Sequence, residues 1–153
     1  MATHKTARAP SSPHGTKTWL AVVRAYNLCD AAMSVRLAEL GLRIGDHEVL
    51  ATLTTTPGIT QQELAARCFV TKSGVSMLLA QLEAKGWVRR EADASDARVK
   101  RLTLTAAGEK IAARSLKIQS EVVTAMVAGS SEAELTFVTN VMEGVSARLE
   151  ALR

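Results

Sequence analysis

The sequence of 153 residues is poor in aromatic side chains: Trp19, Tyr26, Phe69, Trp87 and Phe137 make up 3% of it. That scarcity excludes the modules that stack single-stranded bases on aromatic platforms. Cysteine is also scarce. Cys29 and Cys68 have no CxxC spacing and build no disulfide framework, which fits a reduced, cytoplasmic protein. The three histidines, His4, His14 and His47, fall at no metal-ligand spacing, so neither a metal nor a cofactor is expected. No apolar run is long enough for a membrane span. Residues 1–17 lack the apolar centre of a secretion signal.

What is present describes a globular domain with helical extensions. Hydrophobic residues are 47% and charged residues 22% of the chain, enough to bury a core without staples. The net charge of +4 is unevenly spread. Residues 1–17 read as a flexible basic arm carrying Lys5, Arg8 and Lys17 and no acid. Residues 67–104 hold eight basic and four acidic residues, whereas 18–66 and 105–153 are slightly acidic. A concentrated positive segment favours an anionic partner, although charge alone also describes an ordinary solvated face.

Apolar residues recur at helical spacing from Thr18 to Leu40, with Gly41 as a stop. Asp46 is placed to cap a second helix that ends before Pro57-Gly58. Thr60-Gln-Gln-Glu63 is a capping box, which predicts a short helix from Gln61 to about Cys68. Thr71 caps the next helix only two residues later, which is helix-turn-helix spacing. In that helix Val75, Leu78, Leu79 and Leu82 share the face that buries. Ser73, Ser76, Met77, Ala80 and Ala84 form a small, nearly uncharged outer face that can enter a major groove. Two short strands, Trp87–Arg90 and Val99–Leu104, then flank a polar loop that carries Arg98. Helix-turn-helix followed by a hairpin is a winged helix. Thr105 caps a long helix to about Ala128, and Ser131-Glu-Ala-Glu134 is a second capping box. The last helix steps Leu135, Val138, Met142, Val145, Leu149 and Leu152 by three and four, a heptad-like seam that suits either packing on its own domain or dimerisation, the latter favoured by the apolar stripe of the first helix.

The segments "LGLRIGDHEVLATL", "ITQQELAARCFVTKSGVSMLLAQLEAKGWVRR" and "DASDARVKRLTLTAAG" follow one another between Leu40 and Gly108. In this order they resemble the MarR (multiple antibiotic resistance regulator) family of transcriptional regulators. The resemblance implies a mainly α fold with a small β-hairpin wing: a winged helix-turn-helix over 46–105 plus a helical dimerisation region from 18–45 and 106–153. It implies a homodimer on double-stranded DNA with a palindromic operator, a repressor in most members, released by a small effector or by oxidation. By position, Thr71, Lys72, Ser73 and Ser76 correspond to the DNA-facing start of the recognition helix. Asp96 corresponds to the residue that holds the wing, and Arg98 to the one that contacts DNA. Met77, Arg89 and Lys100 complete the expected DNA-binding set. Met77, Ala80 and Ala97 depart from the family's frequent arginine, aspartate and arginine.

The dimer interface is expected at Leu20, Val23, Leu135, Val138, Met142, Val145 and Leu149. Trp19, Tyr26, Met33, Arg43 and His47 are candidates to line a pocket for an aromatic or phenolic ligand, or else interface core (Trp19, Tyr26, Met33) and surface (Arg43, His47). Cys29 and Cys68 are redox candidates, with core packing as the simpler role. An enzyme is not expected, because there is no nucleophile motif, phosphate-cradling loop or metal cluster. A winged helix used for protein contacts is the remaining alternative.

Overall fold

The computed structural model describes residues 14–68 and 72–152, with Lys72 and Ser73 described by backbone alone. Lys5 and Arg8 of the arm, and Thr71 at the expected cap, lie outside the described residues. The chain runs α1 (Thr16–Ala38), α2 (Ile44–Thr55), β1 (Ile59–Thr60), α3 (Gln61–Arg67), α4 (Lys72–Ala84), β2 (Val88–Ala92), β3 (Lys100–Leu104), α5 (Ala106–Val127) and α6 (Glu132–Glu150). No helix among the described residues is long and apolar enough to cross a membrane.

Three helix starts form as the sequence chemistry dictates. The Thr60 hydroxyl accepts from the Glu63 amide at 3.2 Å, and the Thr60 amide donates to the Glu63 carboxylate at 2.8 Å. Ser131 and Glu134 repeat the arrangement at α6, and the Thr105 hydroxyl accepts from the Gly108 amide at α5. The second helix differs from the expectation. It starts at Ile44, so Asp46 is its third residue and not its cap. The Asp46 carboxylate instead reaches back to accept from the Arg43 amide at 2.8 Å, which satisfies the same exposed end of the helix from inside. Gly86 and Gly129 close α4 and α5 at φ +73° and +85°, the left-handed region that glycine enters without strain.

The sheet has the order β1-β3-β2, antiparallel throughout. The wing pairs Val88 with Leu104, Arg90 with Leu102 and Ala92 with Lys100. Strand β2 therefore starts at Val88 and continues past Arg90 to Ala92, β3 begins at Lys100 and not at Val99, and the connecting loop is slightly shorter than the sequence suggests. Strand β1 is not predicted by the sequence, because two residues carry no alternating pattern. It pairs Ile59 with Leu102 and so ties the start of α3 to the wing.

One core holds α2, α3, α4 and the sheet. Leu50, Leu53, Leu64, Val75, Leu79, Leu82 and Leu102 are all essentially inaccessible. Burying each such side chain contributes on the order of 1.5–3 kcal/mol. Met33 and Leu37 from α1, and Ile111 and Ala112 from α5, close the core on one side. Gly108 permits this closure: a Cβ there would lie 1.9 Å from the Trp87 carbonyl oxygen. The same carbonyl accepts from the Thr105 amide at 3.0 Å. The first turn of α5 is thereby pinned to the base of the wing.

Beyond the core, α6 buries none of its residues. The outer half of α1 is equally bare, with Trp19, Leu20, Val23 and Tyr26 exposed.

Candidate nucleic-acid interface

Helix α4 is positioned by its own amphipathicity. Val75, Leu78, Leu79 and Leu82 lock one side into the core, which turns Ser76, Met77 and Ala80 outward. Met77 is the exposed large hydrophobic among the described residues of this lobe, 63% accessible. A methionine on an otherwise small surface can meet a thymine methyl, and a serine hydroxyl can meet a base edge or a phosphate.

The wing presents its cations in two ways. Arg98 stands at the tip with its side chain 91% exposed. Asp96 accepts from the Arg98 amide at 3.0 Å, from Nε at 3.1 Å and from Nη2 at 3.2 Å. These bonds hold the Asp96 carboxyl below the usual carboxylate range. Water screens so exposed a pair, and the guanidinium can exchange part of it for a phosphate oxygen at little cost. Lys100 and Arg89 are also exposed, Arg89 lying 3.4 Å from Glu91. A groove of about 340 Å³ between α3 and the wing is lined by Thr60, Gln61, Gln62, Arg98, Val99 and Lys100.

Other wing charges are used internally, and the sequence does not separate the two groups. Arg101 pairs with Asp93 and donates through Nη1 to the Gly58 carbonyl at 2.9 Å, bolting the wing to β1. The Ser95 hydroxyl and amide, then Arg101, hold the Asp93 carboxyl far below its usual range. Asp93 thus supports the wing alongside Asp96. Arg90 pairs with Glu83 of α4 and donates to the Gln61 Oε1 at 3.4 Å. Gln61 in turn donates from Nε2 to the Ser76 hydroxyl at 2.6 Å. In sequence, Gln61 is only the interior of a capping box. A single sequence holds no signal that α3, α4 and β2 meet at its carboxamide.

The other candidates are scattered. Arg43 is exposed beside α4, donates to Gln81, and lines a cavity of about 260 Å³ with Gly45, Gly74, Met77, Leu78 and Gln81. Trp19 and Tyr26 stand exposed on α1, and Met33 is in the core. His47 is buried, its Nδ1 3.1 Å from the Ser115 hydroxyl of α5, and burial pushes its pKa down, partly offset by Gln119. Trp19, Tyr26, Met33 and His47 do not line the cavity at Arg43. Cys68 is buried, and burial pushes its thiol up, away from the thiolate that redox sensing requires. Cys29 is half-buried, on a cavity of about 530 Å³ between α1 and α5 that also includes Leu28, Ala32, Val122 and Met126. In the α6 seam Leu135, Met142 and Val145 are half-exposed, and Val138 and Leu149 are exposed. No group of three His, Cys, Asp or Glu among the described residues could hold a metal ion.

A model of the MarR family matches residues 40–99. A helix-turn-helix-type transcriptional regulator of Bacillus cereus is 31% identical over 105 residues, 69% of each chain. The crystal structure of a MarR-family transcriptional regulator from Silicibacter pomeroyi superposes with a TM-score of 0.76 at 26% identity, covering 88% of this chain and 90% of that one. A mutant MarR from E. coli, solved in complex with operator DNA, shares the fold with a TM-score of 0.76 at 19% identity, over 88% of this chain and 99% of that one.

Proposed function

This chain belongs to the MarR family of transcriptional regulators, and from that premise we propose that it is a homodimeric repressor of a palindromic DNA operator. Residues 46–105 form the DNA-binding part, and 18–45 with 106–153 form the dimerisation part. Each copy places α4 in a major groove, with Ser76 and Met77 toward the bases and with Thr71, Lys72 and Ser73 at its start. Arg98, Lys100 and Arg89 take phosphates or the adjacent minor groove.

The observation that carries the DNA reading is an outward helix face, uncharged at Ser76, Met77 and Ala80, joined through the Gln61–Ser76 hydrogen bond to the α3 edge of a groove that the arginine-tipped wing lines. The dimer rests on α6. A helix with an apolar seam and no buried residue needs a second surface, and the apolar groove between α1 and α5 supplies one. The two-fold axis of such a dimer sets half-sites about one helical turn, roughly 34 Å, apart.

Release by a small aromatic ligand is part of the same proposal. The DNA-binding lobe meets the long helices through α2 against α5, at His47 and Ser115. A ligand wedged near that joint would change the spacing of the two recognition helices.

The test is fluorescence anisotropy of labelled genomic duplexes at several salt concentrations. Sequence-specific binding whose affinity falls steeply with salt is expected. Equal, weak binding to all duplexes would refute the operator reading.

A further inference from the structure

We infer that Arg43 is a further DNA-contacting residue, binding a phosphate on the side of α4 opposite the wing. The inference rests on the operator reading above. A helix seated in the major groove lies between two rows of phosphates, one from each strand, across a groove about 12 Å wide. The wing brings Arg98 and Lys100 to the α3 side of α4, where they line one groove with Thr60, Gln61 and Gln62. The outward face of α4 is uncharged at Ser76, Met77 and Ala80, so the far row of phosphates needs a cation from another element. Arg43, the residue before α2, stands on that side.

The placement follows from the turn of the helix. At about 100° per residue, Ser76, Ala80, Met77 and Gln81 succeed one another around α4 at roughly 0°, 40°, 100° and 140°. All four are exposed, and the buried Val75, Leu78, Leu79 and Leu82 lie on the other side. The two ends of this exposed arc are tied to different elements. At one end Gln61 of α3 donates to the Ser76 hydroxyl at 2.6 Å. At the other end Arg43 donates through Nη2 to the Gln81 Oε1. Arg43 also lines the cavity of about 260 Å³ that Met77 and Gln81 share. The arc proposed to face the bases is therefore bordered by the wing groove on one shoulder and by a guanidinium on the other.

The guanidinium is aimed from behind and open in front. The Arg43 side chain is 68% exposed, whereas the Asp46 side chain beside it is 2% exposed. Nε and Nη2 reach Asp46 only at 3.5 Å, and Nη2 also meets Gln81. Among the described residues Nη1 donates to none, which leaves its two N–H groups for a ligand. A planar fork held at one edge presents the other to a phosphate oxygen. Asp46 does not depend on this side chain, because its shorter bond, 2.8 Å, comes from the Arg43 backbone amide. A replacement at position 43 therefore removes the fork and keeps the start of α2.

The experiment uses the full chain and the operator that wild type enriches from a randomised duplex library. Anisotropy titrations compare wild type, Arg43→Gln, Arg43→Lys and Arg98→Ala on that duplex at several salt concentrations. The same duplex is then made with one phosphate at a time replaced by a neutral methylphosphonate. Arg43→Gln should bind about tenfold more weakly and lower the salt slope by about 1 per half-site, while Arg43→Lys, which keeps the charge, should keep the slope. One methylphosphonate per half-site should weaken wild type about tenfold and leave Arg43→Gln unaffected. Arg98→Ala should still be weakened at that position, because its own contact lies elsewhere. The methylphosphonate pattern decides, since a folding defect in Arg43→Gln would weaken every duplex alike. Wild type enriching no sequence would overturn the operator reading itself. An Arg43→Gln pattern identical to that of wild type, whatever its affinity, would overturn only the inference.

Discussion

The winged lobe and the helical ends both carry many apolar residues, yet they use them in opposite ways. The lobe hides its leucines: Leu50, Leu64, Leu79, Leu82 and Leu102 are inaccessible. The ends display theirs. Of the exposed large hydrophobics among the described residues, all but Met77 lie on α1, α5 or α6 or, for Leu152, just past the end of α6. The lobe buries its apolar residues within one chain, in a core that Met33, Leu37, Ile111 and Ala112 of the long helices close. Ends that leave Trp19, Phe137, Val138 and Leu149 to water need another surface. On the proposed function, the difference separates the part assigned to DNA from the part assigned to a second copy. Met77, the exception, lies where the DNA is proposed to lie.

Four substitutions sharpen that comparison. Leu79→Ala should cost about 2–5 kcal/mol, because the close-packed lobe leaves a cavity it cannot fill. Chemical denaturation should show this loss at every protein concentration, as expected of a core inside one chain. Val145→Asp acts on the other part. A charge in the seam should yield monomers by sedimentation, and operator affinity should fall about 100-fold as the second recognition helix is no longer tethered. A dimer of wild-type strength would break the division. Arg98→Ala should weaken operator binding about tenfold and reduce the salt slope by about 1 per half-site, without moving the melting point. An unchanged slope would remove the wing tip from the interface.

The smallest effect concerns His47, at the joint between the two parts. Burial depresses its folded-state pKa below the ordinary value of 6.5. The unfolded chain therefore binds the proton more readily. The stabilisation is fully present above pH 6.5 and is lost as pH falls through the lower folded value. Melting of wild type at about pH 7.5 and about pH 5.5 should show a drop that His47→Gln lacks. Identical pH dependence in the two proteins would assign the drop elsewhere.

Much of this division is legible in the sequence, since it rests on local chemistry. The capping boxes at Thr60 and Ser131 mark where two helices begin, because a hydroxyl and a carboxylate three residues apart satisfy the same amides wherever they occur. The face of α4 follows from its period, as does the unburied seam of α6. Contacts between distant segments are not legible. Strand β1 is too short to show a pattern, and its pairing with Leu102 exists only after the wing folds back. The eight cations of 67–104 look alike in sequence, but Arg90 and Arg101 meet acids across the fold and Arg98 faces solvent. His47 reads as pocket or surface until Ser115, sixty-eight residues away, is brought against it. Gly108 is explained only by the Trp87 carbonyl it must pass.

The most direct test of the two-part account is the stoichiometry and affinity of binding to a selected palindromic operator, compared with one half-site of the same sequence. Sedimentation combined with anisotropy titration reads both. The account predicts two chains per palindrome and an affinity at least about 100-fold above that for the half-site. One chain per duplex, with equal affinity for palindrome and half-site, would contradict it.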